Sequence, residues 1–193
     1  MLRHQTIQHS QGLEVAPELT DITTLIPFLK SMKENLNFKY LKIVADAGYE
    51  SEENYSFIEE NNQISFIKPS NYEISKTRKY KNDINRIDNM DYDSESDLFI
   101  CQNGKKLIAN WIKIRKSKTG YESVKTIYIC EDCSNCNYKS QCIKGNNSKI
   151  SLEKRTKKFE TSKKFNRQRK EDLERIITDE GILLRMNRSI QAE

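Results

Sequence analysis

Apolar residues recur at helical spacing between Thr20 and Leu36, where Ile22, Leu25, Ile26, Leu29, Met32 and Leu36 share one face. The pattern predicts an amphipathic helix, capped by Thr20 or Asp21, with Pro27 tolerated near its start or marking a later onset. Leu41, Ile43, Val44 and Ala45 then form a short apolar run of the kind a buried strand shows, ending at Asp46 and the turn-forming Ala47-Gly48. Ser51 caps a second predicted helix with Glu52 and Glu53 in its first turn, and Tyr55 with Ile58 or Phe57 supplies its apolar side. ISFIKP, residues 64–69, alternates and stops at a proline, which predicts another strand. Helix, strand, helix, strand implies an α/β core with parallel pairing.

After Pro69 the pattern weakens. Residues 70–95 are polar and rich in Asn, Asp, Lys and Tyr. DLFICQNGKKL, with Asn103-Gly104, reads as a hairpin turn between short strands, and SVKTIYIC as a further strand entering a cysteine cluster. From about Leu152 the chain reads as helical, with Phe159, Phe165, Leu173, Ile176 and Ile177 on its apolar side. Gly181 punctuates it before a final helix, GILLRMNRSIQAE. Four stretches follow: an irregular 1–19, an α/β piece over 20–69, a polar and cysteine-bearing 70–150, and a helical 151–193.

Composition narrows the picture modestly. The 193 residues are 36% hydrophobic and 32% charged, with a formal charge of +5, so a modest core carries long solvated elements and an anionic partner is compatible. The charge is concentrated: Glu153 to Arg175 holds ten Lys or Arg against five Asp or Glu, and a second basic stretch runs from Lys68 through Lys76, Arg78, Lys79 and Lys81 to Arg86. Either stretch is equally readable as a solvated face. No apolar run approaches the roughly 18 residues of a membrane span, and the N-terminus lacks an apolar signal region, so a cytoplasmic protein is expected.

Two features carry candidate chemistry. Asp46 sits at the C-terminal end of a predicted buried strand, a common place for a metal or ligand in α/β sheets, although a turn-capping aspartate would look the same. Cys130, Cys133, Cys136 and Cys142 lie within thirteen residues, with Cys101 about thirty before. Thiolates at this density suit a structural zinc; an iron–sulfur cluster or free thiols remain alternatives. Cys101 is the spare by distance, unless a facing hairpin brings it in. His4 and His9 are expected to be ordinary surface residues.

VADAGYESEENYSFIEENN, then IYICEDCSNCNYKSQC, then EGILLRMNRSIQAE resembles the insertion-sequence transposases of the DDE type, in the branch with a cysteine-bearing insertion before the final glutamate. TDITTLIPFL is also similar, and the likeness covers roughly residues 19–193. The resemblance implies a partial RNase H-like core interrupted by a small zinc-ribbon-like insertion. It further implies three acidic residues holding two Mg²⁺ ions, and DNA as the partner. Asp46 matches the second Asp of that triad and Glu193 the Glu, while Arg185 and Arg188 fall where relatives place phosphate-contacting residues. A Tyr that some relatives carry beside that arginine is absent here.

No residue here matches the first Asp. Glu14, Glu18 and Asp21 lie upstream without the family's context, and the lysine that follows the Glu in relatives is not within residue 193. The resemblance therefore implies a transposase fragment that does not cut DNA alone. The alternative is a non-catalytic DNA-binding zinc module, with Lys163, Lys164, Arg167, Arg169 and Lys170 on phosphates. A third reading is a decayed frame whose incomplete core leaves a sheet edge exposed. A homo-oligomer is left open.

Overall fold

The computed structural model describes residues 21–145 and 149–191, with side chains from Ile22 to Asn187 among them. The first helix starts late. Residues Asp21–Thr23 form a single 3-10 turn, and α1 runs Leu25–Leu36 with Pro27 in its first turn, where a missing N–H costs nothing. It stops at Asn37, whose φ of 46° is left-handed. Strand β1, Lys42–Ala45, pairs in parallel with β2, Ile64–Ile67, and α2, Glu52–Glu60, crosses between them. Ser51 caps α2 as expected, its hydroxyl accepting from the Asn54 amide at 3.1 Å. Leu25, Ile43, Ala45, Tyr55, Ile58 and Ile67 close one core.

Two single-turn helices, α3 (Tyr72–Ser75) and α4 (Arg78–Lys81), lead from this unit to a five-stranded antiparallel sheet. Its strands are β3 (Asp91–Asp93), β4 (Leu98–Ile100), β5 (Lys106–Lys116), β6 (Glu122–Cys130) and β7 (Lys158–Thr161), in that spatial order. The expected hairpin is present between β4 and β5: Gly104 takes φ +71° and its amide donates to the Cys101 carbonyl. Phe99, Leu107, Tyr128 and Cys130 form a second core, with Phe159 packed against it. β5 and β6 continue past their neighbours as an arm. Tyr121 on that arm meets the Ser56 hydroxyl at 3.0 Å, and Lys125 pairs with the buried Glu52 at 3.1 Å, tying the arm to α2. Between β6 and β7 lies the one-turn α5, Lys139–Cys142.

The C-terminal stretch departs from its pattern in two places. Residues 152–161 are not helical: a 3-10 turn at Leu152–Lys154 is followed by β7, because the edge of β6 offers unpaired backbone and Phe159 docks on Phe99 and Tyr128. The helix α6 begins only at Lys163 and runs to Ile176, capped by the Ser162 hydroxyl. Gly181 does not separate two helices either. The break falls at Thr178, whose hydroxyl donates to the Arg175 carbonyl and accepts from the Gly181 amide, and α7 spans Asp179–Gln191. A Cβ at Gly181 would lie 2.2 Å from the Arg175 carbonyl oxygen, so glycine is there to let two helices meet.

Helix α6 also settles one edge of the parallel pair. Asp172, fully buried, accepts from the Ile67 amide at 2.6 Å and the Ser65 hydroxyl at 2.7 Å, and Arg175 donates to the Ser65 carbonyl at 3.0 Å. The outward backbone groups of β2 are thus met by side chains rather than left open. β1 has no strand on its other side among the described residues.

Candidate metal and nucleic-acid site

The chain leaves β1 at Ala45, which is buried, and Asp46 emerges exposed at the carboxyl end of the strand. The next three residues make a 3-10 turn, closed by the Tyr49 amide donating to the Asp46 carbonyl at 3.0 Å. That turn is fixed from below. Glu50 is buried and accepts two bonds from the Arg169 guanidinium, at 2.6 and 2.8 Å, and one from the Ser70 amide at 2.8 Å. Burial pulls the Arg169 pKa down, but the Glu50 carboxylate outweighs it and holds it above the usual value. One ion pair therefore ties the turn after Asp46 to α6 and to the exit of β2.

Helix α7 approaches the same edge. Glu180 in its first turn pairs with Lys42 at the start of β1. One and a half turns on, the Arg185 guanidinium lies 5.7 Å from the ring of Tyr72, just past the end of β2. The helix thus runs alongside β1 toward the end where Asp46 sits. Glu193 lies outside the described residues, as does the side chain of Arg188.

The basic residues of α6 divide. Lys163 pairs with Asp97, Arg167 with Glu59 and Glu171, and Arg169 with Glu50, so these charges hold the fold together. Lys164 and Lys170 are exposed, Lys164 reaching toward Tyr121. A groove of about 850 Å³ runs beside the helix, lined by Tyr72, Tyr92, Lys163, Arg167 and Lys170 among others. Aromatic faces interleaved with cations suit a nucleic-acid strand.

Residues 100–193 match a family described as the transposase DDE domain. Over that stretch the chain is similar to this family. The matched region begins in β4 and takes in the hairpin arm, the cysteines, α6 and α7; Asp46 precedes it. No curated relative and no solved structure matches the chain. No helix among the described residues is long and apolar enough to cross a membrane.

The fit to metal is incomplete among the described residues. Among the described residues no three His, Cys, Asp or Glu side chains stand where they could hold an ion. Of the carboxylates the resemblance implies, Asp46 alone falls within them. The cysteines, in contrast, do come together: Cys101, Cys130, Cys133, Cys136 and Cys142 line one small cavity. Cys101, the spare by sequence distance, is brought in by the β4–β5 hairpin. Burial pushes the Cys130 thiol up to about 12, and this thiol donates to the Asp132 carbonyl at 3.4 Å. Sequence reasoning missed Glu50 altogether, since a glutamate one residue before a helix cap carries no visible mark of a partner on α6.

Proposed function

We propose that this chain supplies Asp46 and Glu193 to a carboxylate site that binds Mg²⁺ at DNA strands, within an RNase H-like core. The observation that carries the reading is the placement of Asp46 at the carboxyl end of β1, the edge toward which α7 runs before the chain reaches Glu193. The family match over residues 100–193 supports DNA as the partner. Mg²⁺ ions held by Asp46 and Glu193, with a third carboxylate, would supply activation of the attacking oxygen and stabilisation of the leaving one.

The rest falls to the protein's own residues. Glu50 and Arg169 keep the Asp46 turn in place, so the carboxylate is presented without a conformational search. Lys164 and Lys170, exposed on α6, meet phosphates, and Arg185 and Arg188 are the further phosphate contacts that the resemblance implies. Residues 20–69 form part of the core, 70–150 an insertion carrying the cysteines, and 151–193 the basic helix and final core helix. Two carboxylates hold a metal pair incompletely, so residues 1–193 by themselves cut no DNA. Among the described residues β1 has no strand on its other side, and a strand paired there would bring the third beside Asp46.

Manganese binding followed by electron paramagnetic resonance tests this. Mg²⁺-competable Mn²⁺ uptake is expected for the wild-type chain and its loss in Asp46→Asn, with unchanged circular dichroism. Equal uptake by both proteins would contradict the assignment.

A further inference from the structure

Three separate segments deliver the five cysteines to one cavity. Cys101 comes from the β4–β5 turn; Cys130, Cys133 and Cys136 come from the end of β6 and the loop after it; Cys142 closes α5. The turns are held by backbone bonds of their own: the Cys101 amide donates to the Lys105 carbonyl at 3.0 Å and the Lys139 amide to the Cys136 carbonyl at 3.0 Å. Asn135, with φ of 49°, gives the reversal between Cys133 and Cys136. The space enclosed is about 20 Å³, roughly enough for one water-sized species.

The five thiols are not equivalent. Cys142 shares the cavity with Cys101, Cys133 and Cys136. Cys130 is 4% exposed and belongs to the aromatic core with Phe99 and Tyr128; its thiol donates to the Asp132 carbonyl and also lies beside the Cys133 thiol.

The surroundings anticipate negative charge on the other four. The Lys157 backbone amide donates to the Cys133 sulfur at 3.3 Å. The Lys157 ammonium is buried, and its hydrogen bonds go to neutral oxygens only: the Asn85 carbonyl and side chain and the Cys142 carbonyl. A buried cation without a bonded carboxylate is costly unless an anion stands near. A zinc ion on four thiolates carries about two net negative charges and would supply it.

We infer that Cys101, Cys133, Cys136 and Cys142 form a tetrathiolate zinc site, with Cys130 the spare thiol behind it and Lys157 the compensating cation. As placed, no three of these side chains are set to hold an ion among the described residues. The inference therefore includes a closing of the four side chains onto the cavity, by rotation about their Cα–Cβ bonds, as the thiols bind the ion and release their protons to solvent. The site would pin the β4–β5 hairpin to the end of β6, which the small second core secures only partly.

The test is metal analysis of the full chain and its variants, purified under reducing conditions and reconstituted with Zn²⁺ or Co²⁺. The wild type and Cys130→Ala should each hold about one zinc and show the thiolate-to-cobalt absorption of a tetrahedral sulfur site. Cys101→Ser should lose affinity by at least about tenfold in competition with a chelator. Circular dichroism separates loss of ligand from loss of fold, and Cys136→Ser provides a second ligand variant that leaves the hairpin intact. A folded wild type that takes up no zinc, or takes up iron instead, would overturn the inference. So would a Cys101→Ser protein with full affinity, or a folded Cys130→Ala protein without metal.

Discussion

The Arg169 guanidinium grips the buried Glu50 carboxylate with two bonds of 2.6 and 2.8 Å, joining residues 119 apart in sequence. Glu50 is the last residue of the turn that begins at Asp46, so this pair sets where the candidate metal carboxylate stands. Arg169→Met leaves a buried carboxylate without its partner and should cost about 3 kcal/mol or more. The double variant Arg169→Met, Glu50→Gln should recover part of that loss. Urea unfolding of the two proteins checks the ordering; equal stabilities, or a less stable double variant, would remove the clamp from the account.

Gly181 is predicted to be irreplaceable for steric reasons. A Cβ there falls 2.2 Å from the Arg175 carbonyl oxygen and 2.7 Å from the Ile176 Cα, both backbone atoms that cannot swing aside. Gly181→Ala would gain about 1 kcal/mol in an unobstructed helix, yet should lower the melting temperature here by parting α6 from α7. A raised melting temperature would show that the two helices have room to spare.

Asp97 gives the stability a defined acid limb. Burial pushes its carboxyl pKa up, but Lys163 and the hydroxyls of Tyr128 and Tyr92 overcome that and hold it below the usual value. A carboxylate depressed in the folded state contributes stability above its unfolded pKa of about 3.9 and loses it as pH falls through the folded value. Asp97→Asn keeps a residue that tolerates the local φ of 51° while removing the charge. It should cost about 1–2 kcal/mol at neutral pH and flatten the acid limb, read from denaturation midpoints between pH 3 and 6. An unchanged slope would place the acid sensitivity elsewhere.

What the sequence discloses here follows from range. β1, α2 and β2 were legible because their cues are local: a nearly continuous apolar run over Leu41–Ala45, interrupted only by Lys42, a serine before two glutamates, an alternation ended by Pro69. The Asn103-Gly104 turn was legible for the same reason. β7 was not, because Phe159 has helical neighbours in sequence and becomes a strand residue only when β6 offers it an edge. The basic stripe misled in a similar way: Lys163, Arg167 and Arg169 look like a surface for phosphates until Asp97, Glu59 and Glu50 are brought to them by the fold. Cys101 read as a spare by distance along the chain, whereas the hairpin returns it to the other four.

The central claim is that Asp46 and the end of α7 share a divalent-metal site, and iron-directed backbone cleavage addresses it most directly. Fe²⁺ with ascorbate and peroxide, bound in place of Mg²⁺, cuts the chain near its ligands. The account predicts two clusters of cuts, one around residue 46 and one close to residue 193, both suppressed by excess Mg²⁺ and absent in Asp46→Asn. Cuts confined to other segments, or a pattern unchanged in Asp46→Asn, would contradict it.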